Sequence, residues 1–291
     1  MTYVDLGDLR NGYVELVDEV VNHGVSVTSR GLATRELTTA TYSFADPTGV
    51  MLPIGVNRGI NTRLAAVEAL QLLSGDGDPA LLLRASPSYV DVLVRPEELT
   101  YGSYGPRLRQ QIDAVYHELY AHPDTRRAVL SIWREEDLTH DGDRPCTLSL
   151  QFLLRQRAED GEDELRLIVT MRSQDVWRGT PYDVFMFSQL QLSLADQLGV
   201  AAGRFTCHVG SLHVYETDLV ATHQLVRCPD DRPGPADYPR GVISSSPLTE
   251  YPTEVAEALI YGVARPIDVA LNPWYVRQLV ALGVTQTEDD E

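Results

Sequence analysis

The sequence predicts a single α+β domain of mixed strands and helices. Segments with helical spacing alternate irregularly with β-rich runs, which is typical of this class. No internal repeat is visible, and 43% hydrophobic against 23% charged residues is an ordinary globular composition. We therefore expect residues 1–291 to form one domain of mixed sheet and helices.

The first half of the chain supplies three predicted helices and one β-rich stretch. Apolar and acidic positions alternate at helical spacing over residues 13–23, which predicts an amphipathic helix ending at Gly24. Residues 25–47 are β-rich and end at an Asp-Pro pair. Residues 61–75 and 107–121 have the spacing of helices, and residues 74–80 are predicted to be a loop.

The second half predicts further strands, one helix and an irregular C-terminal part. We expect β structure over residues 128–133, 146–155, 164–172 and 205–216, with an acidic loop joining the second and third runs. A turn at 177–183 precedes a helix over 186–199. Residues 228–253 are predicted to be an irregular Pro-rich insertion, and about 284–291 an acidic, solvated tail.

The charge and residue usage exclude several classes of function. The net charge of -18 disfavours binding to a nucleic-acid polymer. All 24 basic residues are arginine, which excludes a Schiff-base lysine, a P-loop lysine and a lysine base. No apolar run or leader pattern predicts a membrane span or a secretion signal, so a cytoplasmic protein is expected. Cys146, Cys207 and Cys228 form no CxxC pair, so we predict neither a zinc site nor a disulfide framework.

Several arginines are candidates for binding an anion. Arg126 and Arg127 are adjacent at the start of a β-rich run, where they either bind a phosphate or form surface ion pairs. Arg172 is followed by Ser173, whose hydroxyl could contact the same anion. Arg30 is a further candidate.

Three other positions could carry chemistry. Cys146 begins an apolar strand, as either a small core residue or a nucleophile activated by nearby arginines. Glu68 interrupts an apolar helix face, as either a solvent-facing carboxylate or a buried acid–base group. The spacing of His208 and His213 fits no standard metal geometry, so no metal is expected.

The order of these motifs resembles the thymidylate synthase family. Arg30, the helix with Glu68 and its glycine end, the turn YGSYG and the run TRRAVLSIW follow one another. They are followed by the Pro-Cys pair at 145–146, the block RSQDVWRGTPYD from Arg172, and HVY at 213–215. The resemblance covers residues 24–216. It implies a large mixed sheet packed with helices and a homodimer assembled through that sheet.

The resemblance implies a role for each matched position. Cys146 matches the nucleophile that adds to C6 of the pyrimidine, and Glu68 the acid that relays protons around the base. Asp183 matches the residue that recognises the base. The residues that match the 5′-phosphate site are Arg30, Arg126, Arg127, Arg172 and Ser173, and the adjacent arginines of this set reach across the homodimer. Those that match the ribose contacts are His213 and Tyr215. Those that match the folate and cavity contacts are Asp175, Tyr104 and Gly179. The implied partners are a pyrimidine nucleoside 5′-monophosphate and, as co-substrate, 5,10-methylenetetrahydrofolate.

The sequence departs from the synthases at the position of Asp183. Synthases have asparagine there, whose amide serves O4 and N3–H of uracil together. An aspartate accepts from the amino group of cytosine and, when protonated, also serves N3. Hydroxymethylases acting on dCMP in phages and on CMP in nucleoside-antibiotic pathways carry aspartate, so cytosine is the expected base.

A second departure concerns how the reaction ends. The helix after Glu68 lacks the family's tryptophan–phenylalanine pair, Thr147 replaces a histidine, and the C-terminus lacks the closing apolar tail. Each change favours water over hydride at the C5 methylene. We therefore predict a cytidylate 5-hydroxymethyltransferase, with CMP slightly favoured over dCMP. The alternatives are a thymidylate synthase acting on dUMP and a catalytically silent nucleotide-binding relative.

Overall fold

A computed structural model gives the structure of the protein and describes residues 2–7, 9–50, 60–75, 77, 79–87 and 101–227. The predicted insertion at 228–253 and the acidic tail at 284–291 lie outside these residues. The prediction that residues 1–291 form one domain therefore stays a prediction.

The described residues contain an eight-stranded mixed sheet. Six strands lie in the order β1-β3-β8-β6-β5-β4, with β2 paired to β3 and β7 paired to β8. The bounds are β1 Thr2–Asp5, β2 Val25–Ser29, β3 Leu32–Phe44, β4 Val129–Ser131, β5 Thr147–Gln156, β6 Asp163–Met171, β7 Gln174–Asp175 and β8 Ala201–Tyr215.

Helices pack against this sheet and against each other. Their bounds are α1 Leu9–His23, α2 Thr62–Ser74, α3 Pro79–Ala85, α4 Tyr104–Ala121, α5 Thr180–Leu198 and α6 Leu219–Arg227. Helix α5 connects the parallel neighbours β6 and β8 and lies against both strands. No helix in the described ranges is long and apolar enough to cross a membrane.

The core forms where the helices cover one face of the sheet. Alternate residues of β6 and β8 are buried, while the residues between them are only partly covered. Phe44 and Phe205 stack in this core, with ring centroids 4.8 Å apart. Helix α5 is buried along most of its length, because it packs on the sheet with one side and on α2 and α4 with the other.

The predicted fold class is confirmed, and so are most of the predicted elements. Helix α2 ends at Gly75 in the left-handed conformation, with φ of 72°, as its terminal glycine predicts. Helix α5 begins at Thr180, inside the predicted turn, because Pro181 is compatible with the first turn of a helix. Strand β1 and helices α3 and α6 were not predicted, since each is too short to show a clear period.

Candidate active site

A cavity of about 480 Å³ lies between α2, α4 and α5 at the ends of β5 and β7. Six residues implied by the resemblance line it: Glu68, Tyr104, Cys146, Asp175, Gly179 and Asp183. A larger cavity of about 700 Å³ lies elsewhere, around Arg157, Glu164 and Arg166. It contains none of the predicted site residues, and its wall includes the ion pairs Arg157–Asp160 and Arg166–Glu164. The smaller cavity is therefore the candidate active site.

Cys146 lies immediately before β5, on a segment held in place by Arg172. The guanidinium of Arg172 donates to the carbonyl oxygens of Pro145 at 2.9 Å and Arg144 at 3.0 Å, and its backbone N–H donates to the Cys146 carbonyl. Burial raises the pKa of the Cys146 thiol, and the charge of Arg172 and a hydrogen bond with Ser173 oppose that rise. Arg172 and Ser173, which directly follow β6, are thus the residues that favour the thiolate.

Glu68 projects into the cavity from the middle of α2. The Asn61 side chain caps the start of this helix by accepting from the Leu64 N–H at 3.1 Å. Burial and, second, the nearby charge of Asp183 raise the pKa of Glu68 from 4.5 to about 8. Glu68 therefore holds a proton at neutral pH, as a group that gives and takes protons in a cavity must be able to do.

Asp183 lies in the first turn of α5, on the same cavity. Burial raises its pKa from 3.8 to about 6, a hydrogen bond from Gln174 opposes the rise, and the charge of Asp175 adds to it. The Gln174 Nε2 donates to Asp183 Oδ2 at 2.9 Å. Glu68 and Asp183 therefore both change protonation state near neutral pH.

Asp175 forms the turn that joins β7 to α5. Its Oδ1 accepts from the N–H groups of Trp177 at 2.7 Å and Arg178 at 2.9 Å. Its Oδ2 is buried with no hydrogen-bond partner among the described residues. A Cβ at Gly179 would lie 3.1 Å from the Asp175 carbonyl oxygen, so glycine fits this turn best.

The predicted phosphate-binding residues fall into two groups. Arg30 lies in the turn between β2 and β3, with φ of 49°, and its charge and that of Arg172 both act on Asp143 at the cavity wall. Arg126 and Arg127 are exposed ahead of β4 and do not line the cavity. Arg127 pairs with Glu118 at 3.1 Å, the surface ion pair that was the alternative interpretation.

His213 and Tyr215, the predicted ribose contacts, lie beside the cavity at the end of β8. Their rings meet edge to face, with centroids 5.4 Å apart. His213 pairs with Asp175 in the register of β7 and β8, and its carbonyl accepts from the Val176 N–H. His208, by contrast, bonds Thr41 at 3.0 Å. In the described part of the chain, His, Cys, Asp and Glu nowhere gather in a group of three that could hold a metal ion.

The cavity is also lined by residues to which the sequence analysis gave no role, among them Gln174, Asp143 and Arg178. Asp143 packs on Gly102, where a Cβ would overlap its carboxylate, and burial raises its pKa. Arg178 pairs with both oxygens of Asp218, at 2.8 and 3.1 Å. Arg178 could have been found, because it lies inside the block from Arg172 to Asp183 that carries the resemblance.

The comparisons with known proteins agree with this geometry. The family model described as thymidylate synthase matches residues 11–236. The chain is 27% identical over 252 residues to the thymidylate synthase of Coxiella burnetii, covering 82% of this chain and 90% of that protein. It is 31% identical over 105 residues to the thymidylate synthases of Bacillus licheniformis and Bacillus phage phi3T. For the Bacillus licheniformis protein this is 36% of each chain. The chain belongs to the thymidylate synthase family.

Proposed function

We propose that the protein is a cytidylate 5-hydroxymethyltransferase that uses 5,10-methylenetetrahydrofolate, with CMP slightly favoured over dCMP. The family consists of folate-dependent one-carbon transferases acting on pyrimidine nucleotides. The finer assignment rests on one observation, the position of Asp183 in the cavity with its raised pKa.

Asp183 supports cytosine because of what its carboxyl group can donate and accept. Cytosine offers an amino donor at N4 and an acceptor at N3, so it needs one acceptor and one donor opposite. A carboxyl group with a pKa of about 6 supplies both when it holds its proton. Glu68, with a pKa of about 8, lies on the same cavity and is uncharged in the pH range where Asp183 titrates.

The proposed reaction begins at Cys146. Its thiolate adds to C6 of the ring, and C5 then attacks the methylene carbon of the folate. The C5 proton leaves, with Glu68 relaying protons through water, and tetrahydrofolate departs. Water adds to the exocyclic methylene, and expulsion of Cys146 restores the ring. The balance is cytidylate, methylenetetrahydrofolate and water giving 5-hydroxymethylcytidylate and tetrahydrofolate, without a reductant.

The side chains around Cys146 support water as the final nucleophile. Gln71 and Leu72 line the cavity one turn beyond Glu68, where the family has large aromatic side chains. Thr147 is fully buried and donates its hydroxyl to the Tyr104 oxygen at 3.1 Å. Gln71 and Leu72 are smaller than aromatic side chains and leave room for water in the cavity.

The nucleotide phosphate is proposed to bind Arg30, Arg172 and Ser173, completed by Arg126 and Arg127 of a second copy. The adjacent arginines are exposed and, like Arg30 and Arg172, do not line the cavity of their own chain. Their assignment to a partner's site rests on the resemblance. The partly covered face of the sheet offers the surface for such a homodimer. We also propose that His213 and Tyr215 contact the ribose.

Asp175 is proposed to contact the folate. Its Oδ2 is buried without a partner in the described structure, and a buried carboxylate oxygen is costly unless a donor reaches it. The N–H groups of a pterin are suitable donors. Tyr104 and Gly179 would complete this wall of the cavity.

The direct test is mass spectrometry of CMP, dCMP and dUMP, each incubated with the protein and methylenetetrahydrofolate. Gain of CH2O on a cytidylate, with tetrahydrofolate released, is the expected result and identifies the sugar. Gain of CH2 on dUMP with formation of dihydrofolate would show a thymidylate synthase, the activity named for the relatives. Nucleotide binding that survives Cys146→Ala, with no product from the wild type, would show a silent relative.

The base assignment is tested by Asp183→Asn. An amide offers a fixed donor and acceptor, so we expect preference to move from cytidylate toward uridylate by about tenfold or more in kcat/KM. Asp196→Asn, on the same helix but away from the cavity, is the matched control. Unchanged discrimination in Asp183→Asn would refute the assignment.

The shared site is tested by mixing two inactive variants. Arg126→Ala lacks the arginine and Cys146→Ser lacks the nucleophile, so a mixed dimer holds one intact site. Partial recovery of activity on mixing is expected. Failure at every mixing ratio, or a strict monomer in solution, would contradict the shared arrangement.

A further inference from the structure

A line of buried polar side chains runs from the sheet to Asp183. Cys207 on β8 is the cross-strand partner of Tyr42 on β3. The Tyr42 hydroxyl donates to Gln174 Oε1 at 3.1 Å, and Gln174 Nε2 donates to Asp183 Oδ2 at 2.9 Å. Tyr42 is 0% exposed and Gln174 is 2% exposed, so water does not compete for these bonds.

The direction of these hydrogen bonds is set by the Tyr42 hydroxyl, which donates to Gln174 Oε1 and so orients the amide. The Gln174 amide can therefore present only its NH2 group to Asp183, whose Oδ2 must act as an acceptor.

We propose that Tyr42 and Gln174 are positioning residues that confine the proton of neutral Asp183 to Oδ1, so that the carboxyl group recognises only one base. This inference rests on the proposed function, because it assumes that Asp183 contacts a pyrimidine. Among the described residues Oδ1 makes no hydrogen bond, which leaves it available to a ligand.

The confinement matters because a neutral carboxyl group is otherwise ambiguous. The oxygen opposite N3 must donate to cytosine but accept from uracil, and the oxygen opposite the C4 substituent must do the reverse. A carboxyl group whose proton can sit on either oxygen therefore serves both bases. A carboxyl group whose proton is held on one oxygen matches one base. With the other base it leaves hydrogen-bonding groups unpaired, which is an effective way to reject a close analogue.

Other groups near Asp183 affect its charge but not the position of its proton. Asp175 on β7 raises the pKa of Asp183 by repulsion, and Asp183 in turn raises the pKa of Glu68 on α2. The charge of Asp183 also raises the pKa of four further groups, after burial as the first cause: Tyr42, Tyr104, Cys146 and Cys207. Gln174 is the described side chain that bonds Asp183 Oδ2 directly.

The test is to remove each link with a change of similar size. Tyr42→Phe removes the donor that orients Gln174, and Gln174→Met removes the amide itself. Two buried residues outside the line provide matched controls. Tyr13→Phe removes a hydroxyl that donates to the Val176 carbonyl at 3.0 Å, and Gln189→Met removes an amide that donates to the Val50 carbonyl at 2.8 Å.

Binding of CMP and UMP to the full-length protein is measured by calorimetry from pH 5 to 8, without folate. We expect Tyr42→Phe and Gln174→Met each to reduce the ratio of CMP affinity to UMP affinity by about 10- to 100-fold, mainly because UMP binds more tightly. Gln174→Met should also raise the pH midpoint of CMP binding. The hydrogen bond from Gln174 lowers the pKa of Asp183 in the wild type, so its removal raises that pKa. The controls should change neither quantity.

The outcomes separate this inference from the proposed function. Wild-type preference for CMP with unchanged preference in both line variants would overturn the inference and leave the proposed function standing. Equal narrowing in the controls would also overturn it, since a general loss of packing would then be the cause. A wild-type protein that prefers UMP or binds neither nucleotide would refute the proposed function itself.

Discussion

Glu68 should make the protein less stable as pH rises, and Glu68→Gln should remove that effect. The pKa of Glu68 is about 8 in the folded protein, mainly because the carboxylate is desolvated, against 4.5 when it is exposed. The unfolded chain loses this proton first on raising the pH. Stability therefore falls between about pH 4.5 and pH 8, and is unaffected by Glu68 below that window.

The size of the effect follows from the difference between the two pKa values. A rise from 4.5 to about 8 corresponds to about 5 kcal/mol at about 1.4 kcal/mol per pKa unit. That value is an upper limit, because Glu68 faces a cavity that admits water. We expect the free energy of unfolding of Glu68→Gln to exceed that of the wild type by about 2–5 kcal/mol at pH 8.5 and to equal it near pH 4.5.

Urea unfolding at several pH values measures this difference. Glu15→Gln, at an exposed position of α1, is the control and should stay within about 0.5 kcal/mol of the wild type throughout. A Glu68→Gln difference that does not change with pH would show that the carboxylate is well solvated, and would refute the reasoning.

Three further outcomes are expected. Cys146→Ser should abolish exchange of the C5 hydrogen of a bound cytidylate, followed by deuterium loss in NMR; exchange at the wild-type rate would exclude Cys146 as the nucleophile. Asp137→Asn should cost about 3–5 kcal/mol in urea unfolding, because it breaks a buried ion pair with N–O distance 2.8 Å; a cost below about 1 kcal/mol would contradict this. Gly12→Ala should lower Tm strongly in a thermal scan, since its Cβ would lie 2.1 Å from the Leu6 carbonyl oxygen. At Gly161 a Cβ would meet no atom within 4 Å, but φ is 76°. Gly161→Ala therefore measures only the free-energy cost of placing a side chain at a positive φ.

The sequence predicts the elements whose period is long and regular. Helix α2 and strands β5 and β6 lie close to where their patterns place them, since each buries a continuous face. Helix α5 begins six residues before its predicted start because Gly179 and Pro181 look like a turn in sequence yet start a helix. Local pattern does not distinguish these two cases.

The candidate site was predictable only where a motif brings its residues together. The motifs place Glu68, Cys146 and Asp183 on one cavity, and the structure does the same. Gln174 could not be assigned a role from sequence, because its contact with Tyr42 joins residues 132 positions apart. Such contacts depend on the register of β3, β7 and β8, which no single-sequence pattern specifies.

One side of the cavity has its geometry fixed by folding itself. The side that carries Asp175 and Asp183 consists of strand ends and the first turn of a crossover helix, whose backbone groups are bonded by the time the chain has folded. Ordering these groups is thus part of folding and adds no entropy cost when a ligand arrives. A base held against this side loses mainly its own freedom on binding. Affinity for the nucleotide should therefore depend little on ligand-induced ordering, and its measured entropy should reflect the release of cavity water.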